Sequence, residues 1–130
     1  CLLETIPYPN GVVLNRSEDL VYVAVTRANA IWRLKTNGAE SPPMVGLHVQ
    51  LSGGLGPDGL AMSTDGCLAV AHAQAGRAFV YDPRGDMIAE IRTPLGMSTT
   101  SVAFDRHDDL YIVEAQSGSV YKTPRSKWRP

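Results

Sequence analysis

Three stretches decide the fold: PNGVVLNRSEDLVYVAVT at 9–26, PDGLAMSTDGCLAVAHA at 57–73 and TTSVAFDRHDDLYIVEA at 99–115. Laid over one another, they repeat one order: a short polar start, an apolar run, an acidic turn and a second apolar run. Asn10 and Asp58 stand 48 positions apart, and Asp58 and Thr100 stand 42 apart. A period in the forties that carries several short strands is the signature of a propeller blade. One four-stranded sheet cannot bury both of its faces alone, so copies stack.

Outward from these stretches, each unit divides into β-branched and apolar runs bounded by turn formers. The first unit offers runs at 12–14, 20–25, 31–35 and 47–51, and the second at 60–62, 68–71, 78–81 and 87–91. The third offers 102–104, 110–113 and 120–121 and stops one strand short. Asp65-Gly66, Asn37-Gly38, Asp82-Pro83-Arg84-Gly85 and Ser117-Gly118 supply the turns. No run of about ten residues carries a clean helical period. The expected class is therefore all-β, with about three blades of a β-propeller in one domain spanning 1–130. Blades are expected at 9–55 and 56–98, a partial blade at 99–124, and a solvated tail at 125–130. Residues 1–8 hold one further strand-like run. Three blades alone leave apolar faces and sheet edges open. A head-to-tail homodimer is therefore expected, each N-terminal strand completing the other copy's last blade; a piece cut from a longer propeller is the alternative.

Strand polarity sorts the polar residues. If the innermost strand of each blade runs down, its entry and the loop after the second strand share the top face. That face collects Asn10, Asp58 and Thr100, with the loops at 26–29, 72–74 and 114–116. Glu18-Asp19, Asp65 and Asp108-Asp109 fall on the opposite face, and those carboxylates together with Asp82 read as turn residues. Asn10 and Asp58 differ, because each begins an innermost strand. An amide oxygen and a carboxylate there are hard donors suited to Ca²⁺, Mg²⁺ or a similar ion. Pro-Asn-Gly and Pro-Asp-Gly also suit plain turns entering a strand, and spacing leaves both readings open. Arg27, His72, Thr100 and Glu114 share the top face as candidate contacts to a substrate or to the ligand residues. His48 and His107 have no partner at metal-ligand spacing and read as structural.

PNGVVLNRSEDLVYVAVTRANAIWRL, LSGGLGPDGLAMSTDGCLAVAHA and TTSVAFDRHDDLYIVEAQSGSVYK, in this order and spacing, resemble the C-terminal half of the gluconolactonase/regucalcin-like family. That family includes senescence-marker proteins, lactonases and luciferin-regenerating enzymes. The resemblance runs from Pro9 to about Lys122. It implies a six-bladed propeller, of which this chain is half, with one catalytic divalent cation at the top of the channel. Ca²⁺ is the first choice, and Zn²⁺, Mg²⁺ and Mn²⁺ are alternatives. It also implies a small lactone substrate opened by a metal-activated water. Asn10 matches the family's Pro/Ser-Asn-Gly ligand and Asp58 its Pro-Asp-Gly ligand, so the resemblance makes both metal ligands and Asp58 the catalytic residue. The family's N-terminal Glu ligand, an intervening Asn and the substrate-contacting Arg and Glu have no counterpart here. Ser101 stands where the family's third motif has Asn, Asp105-Arg106 replaces two glycines, and Val25-Thr26 replaces Asp-Thr. A noncatalytic half-propeller binding or assembly module is the alternative function.

Composition excludes other classes. The 130 residues carry 12 basic and 13 acidic side chains, a net charge of −1, so no nucleic-acid partner is expected. Lys122, Arg125, Lys127 and Arg129 form the one basic cluster, read as part of the solvated tail or as a weak anion patch. No apolar run of about 18 residues offers a membrane span, and no basic-then-apolar leader opens the chain, so a cytoplasmic location is expected. Cys1 and Cys67 are too few for a disulfide framework. An opening Cys1 in place of Met reads as a processed chain or a fragment.

Overall fold

The computed structural model describes residues 1–36 and 44–130. Strands β1 (Pro9–Leu14), β2 (Leu20–Val25), β3 (Ala30–Lys35) and β4 (Val45–Gln50) form one antiparallel sheet in sequence order. A second sheet follows the same order through β5 (Gly56–Met62), β6 (Leu68–Ala73), β7 (Arg77–Tyr81) and β8 (Met87–Arg92). The third sheet holds β9 (Thr99–Phe104), β10 (Leu110–Glu114) and β11 (Ser119–Thr123), with β10 in the middle. The first strands adjoin, β1 beside β5 and β5 beside β9, so the sheets radiate from a shared inner edge as blades 1, 2 and 3. The turn at Asn37-Gly38 lies outside the described residues.

Blade 2 is covered on both faces, and its second strand shows why. All six residues of β6 are buried. Leu68 and Val70 enter a core with Tyr22, Ala24, Ile31 and Val49 of blade 1. Ala69 and Ala71, on the opposite face by strand alternation, enter a core with Val102, Leu110 and Ile112 of blade 3. Small residues on that second face leave volume, which Trp128 helps to fill.

Trp128 overturns the expectation of a solvated tail. Residues Arg125–Trp128 form a short helix, α1, whose indole is almost fully buried, 5.3 Å from the Phe104 ring. The indole N–H donates to the Asp108 carbonyl at 3.0 Å. Three of the four basic residues are paired within the fold: Arg125 reaches Asp65 and Asp108, Arg129 reaches Asp65, and Lys122 reaches Asp109. The anion-patch alternative therefore fails too. Asp108 does more than turn the chain. Buried at φ 61°, it accepts the Thr64 N–H at 2.8 Å and the Thr64 hydroxyl, tying the lower turns of blades 2 and 3 together.

Two boundaries depart from the sequence reading. The innermost strands begin at Pro9, Gly56 and Thr99, three or four residues ahead of the apolar runs, so the polar motifs lie inside strands. Residues 1–6 form no strand in the single chain, and Leu3 instead lines an apolar hollow with Trp32, Val45, Gly46 and Leu47. No helix among the described residues is long and apolar enough to cross a membrane.

Candidate functional site

Each innermost strand is irregular at the same place. Between Pro9 and Val12, β1 carries one residue more than its partner β2, which runs from Val25 to Val23. Between Pro57 and Leu60, β5 does the same against His72 and Val70, and β9 does so between Thr99 and Ser101. Three bulges therefore stand at Asn10-Gly11, Asp58-Gly59 and Thr100. An extra unpaired residue bends the strand and re-aims a side chain, a device common beside functional sites.

The glycines of these motifs answer to close packing. A Cβ on Gly11 would run into the Asp58 carbonyl and stand 2.9 Å from the Leu60 nitrogen. A Cβ on Gly59 would lie 2.9 Å from both the Ser101 Cα and the Thr100 carbonyl. Both values are below ordinary van der Waals contact, so each glycine lets one inner strand press against the next blade. This contact sets Asn10 and Asp58 on adjoining bulges at one end of the inner edge, with Thr100 on the third. The Thr26 hydroxyl secures the same end by donating to the Pro57 carbonyl at 2.8 Å.

Asp58 is the electrostatic outlier. Its side chain is partly buried, and burial, with no compensating donor or cation among the described residues, pushes its carboxyl above the ordinary carboxylate range. Asn10 is exposed beside it. Among the described residues no three His, Cys, Asp or Glu side chains cluster in a way that would hold a metal. The pair fits a hard cation as two oxygen donors, and the rest of a six- to eight-oxygen shell must come from elsewhere.

The residues paired with Pro9, Pro57 and Thr99, just ahead of each bulge, are Val25, His72 and Glu114, all fully buried. Asn29, in the left-handed region at φ 50°, donates to the Gly53 carbonyl at 3.0 Å. Its Oδ1 is left to accept the His72 Nε2–H, also at 3.0 Å. Burial lowers the His72 pKa, and its Nδ1 has no partner among the described residues. Glu114 is spent on the backbone. Its carboxylate accepts the N–H groups of Ser98, Gln116 and Ser117, and hydrogen bonds from Ser117 first, then Gln116 and Ser98, hold its pKa low. Arg27 is exposed and stacks over Tyr8, 5.4 Å from the ring centroid, and Thr100 is half-buried. The structure therefore brings Asn10, Asp58 and Thr100 to one end of the inner edge and uses His72 and Glu114 to brace the loops around it. Asn29 was not singled out in the sequence; its signal is a lone Asn just ahead of a strand, where a left-handed residue is needed.

Radial antiparallel sheets with oxygen donors on their inner-strand bulges define a β-propeller segment with a polar inner edge. Residues 1–116 match the family described as SMP-30/Gluconolactonase/LRE-like region, and the chain belongs to that family. The lactonase drp35 of Staphylococcus aureus (strain MW2) is 30% identical over 96 residues, covering 72% of this chain and 30% of the relative. Among solved structures, the calcium-binding protein regucalcin of Agrobacterium tumefaciens superposes with a TM-score of 0.76 at 21% identity, covering 94% of this chain and 47% of that one. A gluconolactonase of Xanthomonas campestris gives 0.72 at 22% identity, covering 86% of this chain and 36% of that one. These structural likenesses establish the propeller fold. The chain spans less than half the length of these relatives.

Proposed function

We propose that the chain supplies half of a divalent-cation-dependent lactone hydrolase, the ring being completed by a second copy. The observation that carries this reading is the partly buried Asp58 carboxylate, uncompensated beside Asn10 on adjoining bulges. A buried carboxylate without a partner is costly and is relieved by a bound cation. Asn10 and Asp58 would hold the ion, and their all-oxygen character favours Ca²⁺ over Zn²⁺, with Mg²⁺ and Mn²⁺ between. When bound, such an ion polarises an ester carbonyl and acidifies water. Asp58, kept ionised by the cation it holds, would orient the attacking water through its free carboxylate oxygen and accept its proton. Thr100 and Arg27 contact the sugar-like hydroxyls of the substrate, and the braced loops of His72 and Glu114 keep the mouth in shape. Family membership and the lactonase relative support this reading.

The test is a calcium titration read by thermal shift, run beside turnover of a sugar δ-lactone. A ligand that binds only the folded state raises the midpoint with concentration. Asp58→Asn should abolish both the rise and the turnover, and a variant retaining both would refute the assignment. A noncatalytic binding module is the second reading, favoured by the lack of a third acidic or imidazole donor among the described residues. A midpoint indifferent to calcium in the unmodified chain would select it.

A further inference from the structure

We propose that Thr26 is a positioning residue of the cation site, fixing the Asn10 and Asp58 segments relative to one another so that their oxygens meet one ion. The proposal rests on the reading of those two residues as ligands, and it names the side chain that sets their spacing.

Thr26 opens the single turn Thr26–Ala28 that follows β2, and it is buried. It is bonded on both sides. Its N–H donates to the Tyr8 carbonyl at 3.1 Å, two residues ahead of Asn10. Its hydroxyl donates to the Pro57 carbonyl at 2.8 Å, one residue ahead of Asp58. One residue therefore holds the backbone that leads into each candidate ligand, across the seam between blades 1 and 2. Packing fixes Thr26 itself. A Cβ on Gly56 would stand 2.8 Å from the Thr26 carbonyl carbon and 3.0 Å from its Cα, so the two backbones touch. The Asn29 N–H donates to the Thr26 carbonyl at 3.0 Å.

The Asn10 side of this link is strained. Tyr8 has φ 62°, a left-handed conformation that a bulky side chain keeps only where its surroundings impose it. The Thr26 bond imposes it here. The Arg27 N–H, on the Pro7 carbonyl at 3.3 Å, and the Arg27 guanidinium stacked on the Tyr8 ring add to the hold. With the Thr26 anchor loosened, the chain ahead of Asn10 relaxes toward ordinary angles and carries Asn10 away from Asp58.

The three blades separate what belongs to the fold from what belongs to the site. Pro9 pairs with Val25, Pro57 with His72 and Thr99 with Glu114, which makes Thr26, Ala73 and Ala115 equivalent. The backbone half of the link recurs in blade 3, where the Ala115 N–H donates to the Ser98 carbonyl at 2.8 Å. The hydroxyl half does not recur. Ala73 has only a methyl group, and it meets Ser98 of the next blade through a backbone bridge. Blade stacking thus needs no hydroxyl at this position. Among the described residues, the threonine stands at the one seam whose two inner strands carry Asn10 and Asp58.

Calcium titration calorimetry on the purified chain tests the role. Thr26→Ala installs the residue that blades 2 and 3 carry, Thr26→Val keeps the shape, and both remove the hydroxyl; Thr26→Ser keeps it. Disturbing the groups that hold a metal ligand costs about 10–100-fold in affinity. Thr26→Ala and Thr26→Val should therefore weaken calcium binding by about tenfold or more, and Thr26→Ser should bind nearly as the parent does. Thr64→Val is the control, because Thr64 ties blades 2 and 3 through Asp108 at the opposite end. It should lower the melting midpoint and leave calcium affinity unchanged. A second readout needs no metal. Gly11 lies against the Leu60 amide, so the nuclear Overhauser contact between them should fade in Thr26→Ala and persist in Thr64→Val. Parental calcium affinity in Thr26→Ala, an equal loss in Thr64→Val, or an undiminished Gly11–Leu60 contact would overturn the proposal and leave the cation reading standing. A parent chain that binds no calcium would remove the cation reading and the proposal with it.

Discussion

Gly11 and Gly59 carry much of the geometry at the polar end of the inner edge, and neither does so through unusual backbone angles. Each is glycine because the next inner strand passes where a Cβ would be. Gly59→Ala should therefore destabilise the fold by about 1–3 kcal/mol, the usual penalty for overfilling a packed site. Urea unfolding checks this, and a variant as stable as the parent would mean that the blades separate easily. Glu114 illustrates how one buried position can serve three blades differently. Val25 fills it with hydrocarbon, His72 with a ring bonded to Asn29, and Glu114 with a carboxylate that collects three N–H groups of its own loops. A buried carboxylate is tolerable there because donors surround it, whereas Asp58 is only partly buried and desolvation alone shifts it among the described residues.

The bulged inner strands and the C-terminal helix are the elements that make three sheets into one body. The bulges turn Asn10, Asp58 and Thr100 out of their ladders. At the other end, Asp108, Thr64, Arg125 and Trp128 fasten the seam between blades 2 and 3. Trp128→Ala should cost about 3–5 kcal/mol, the range for deleting a large buried aromatic. It also strands the Asp108 carbonyl. Denaturant unfolding measures the loss, and a loss below about 1 kcal/mol would place the indole outside the core. Circular dichroism should show the sheets intact, since α1 joins blades and does not build them.

Taken together, the blades bury His72 and half-bury His48, which gives the molecule a definite response to acid. Burial lowers the pKa of His48, with Arg33 adding to the effect and Asp82 opposing it, and burial lowers His72 as well. A group whose folded pKa is depressed binds more protons when unfolded, so it contributes its full stability above the unfolded value of about 6.5. That contribution is lost as pH falls toward the folded values. The urea midpoint should drop between about pH 7.5 and pH 5.5. His48→Gln should flatten part of that drop, leaving the share due to His72; an unchanged slope would show that His48 ionises freely in the fold.

Much of this was legible in one dimension. Strand content, blade period, the order of turns and the identity of Asn10 and Asp58 as the oxygen-bearing strand starts follow from local chemistry: alternation, turn formers and repetition. Asp82 shows it plainly, its carboxylate capping the Arg84 and Asp86 N–H groups as an isolated turn would. Residues whose role depends on a distant neighbour were hidden. Pro, Asn and Gly mark the entry to a strand in the sequence, and only the structure reveals that they lie inside it and bulge it. Arg125, Trp128 and Arg129 look like a charged tail until Asp65, Asp108 and Phe104, far back in the chain, come within reach. Glu114 and Asp58 are both acidic letters at one end of a blade. Tertiary contacts alone decide that one is saturated with donors and that the other is partly buried with its pKa raised by desolvation.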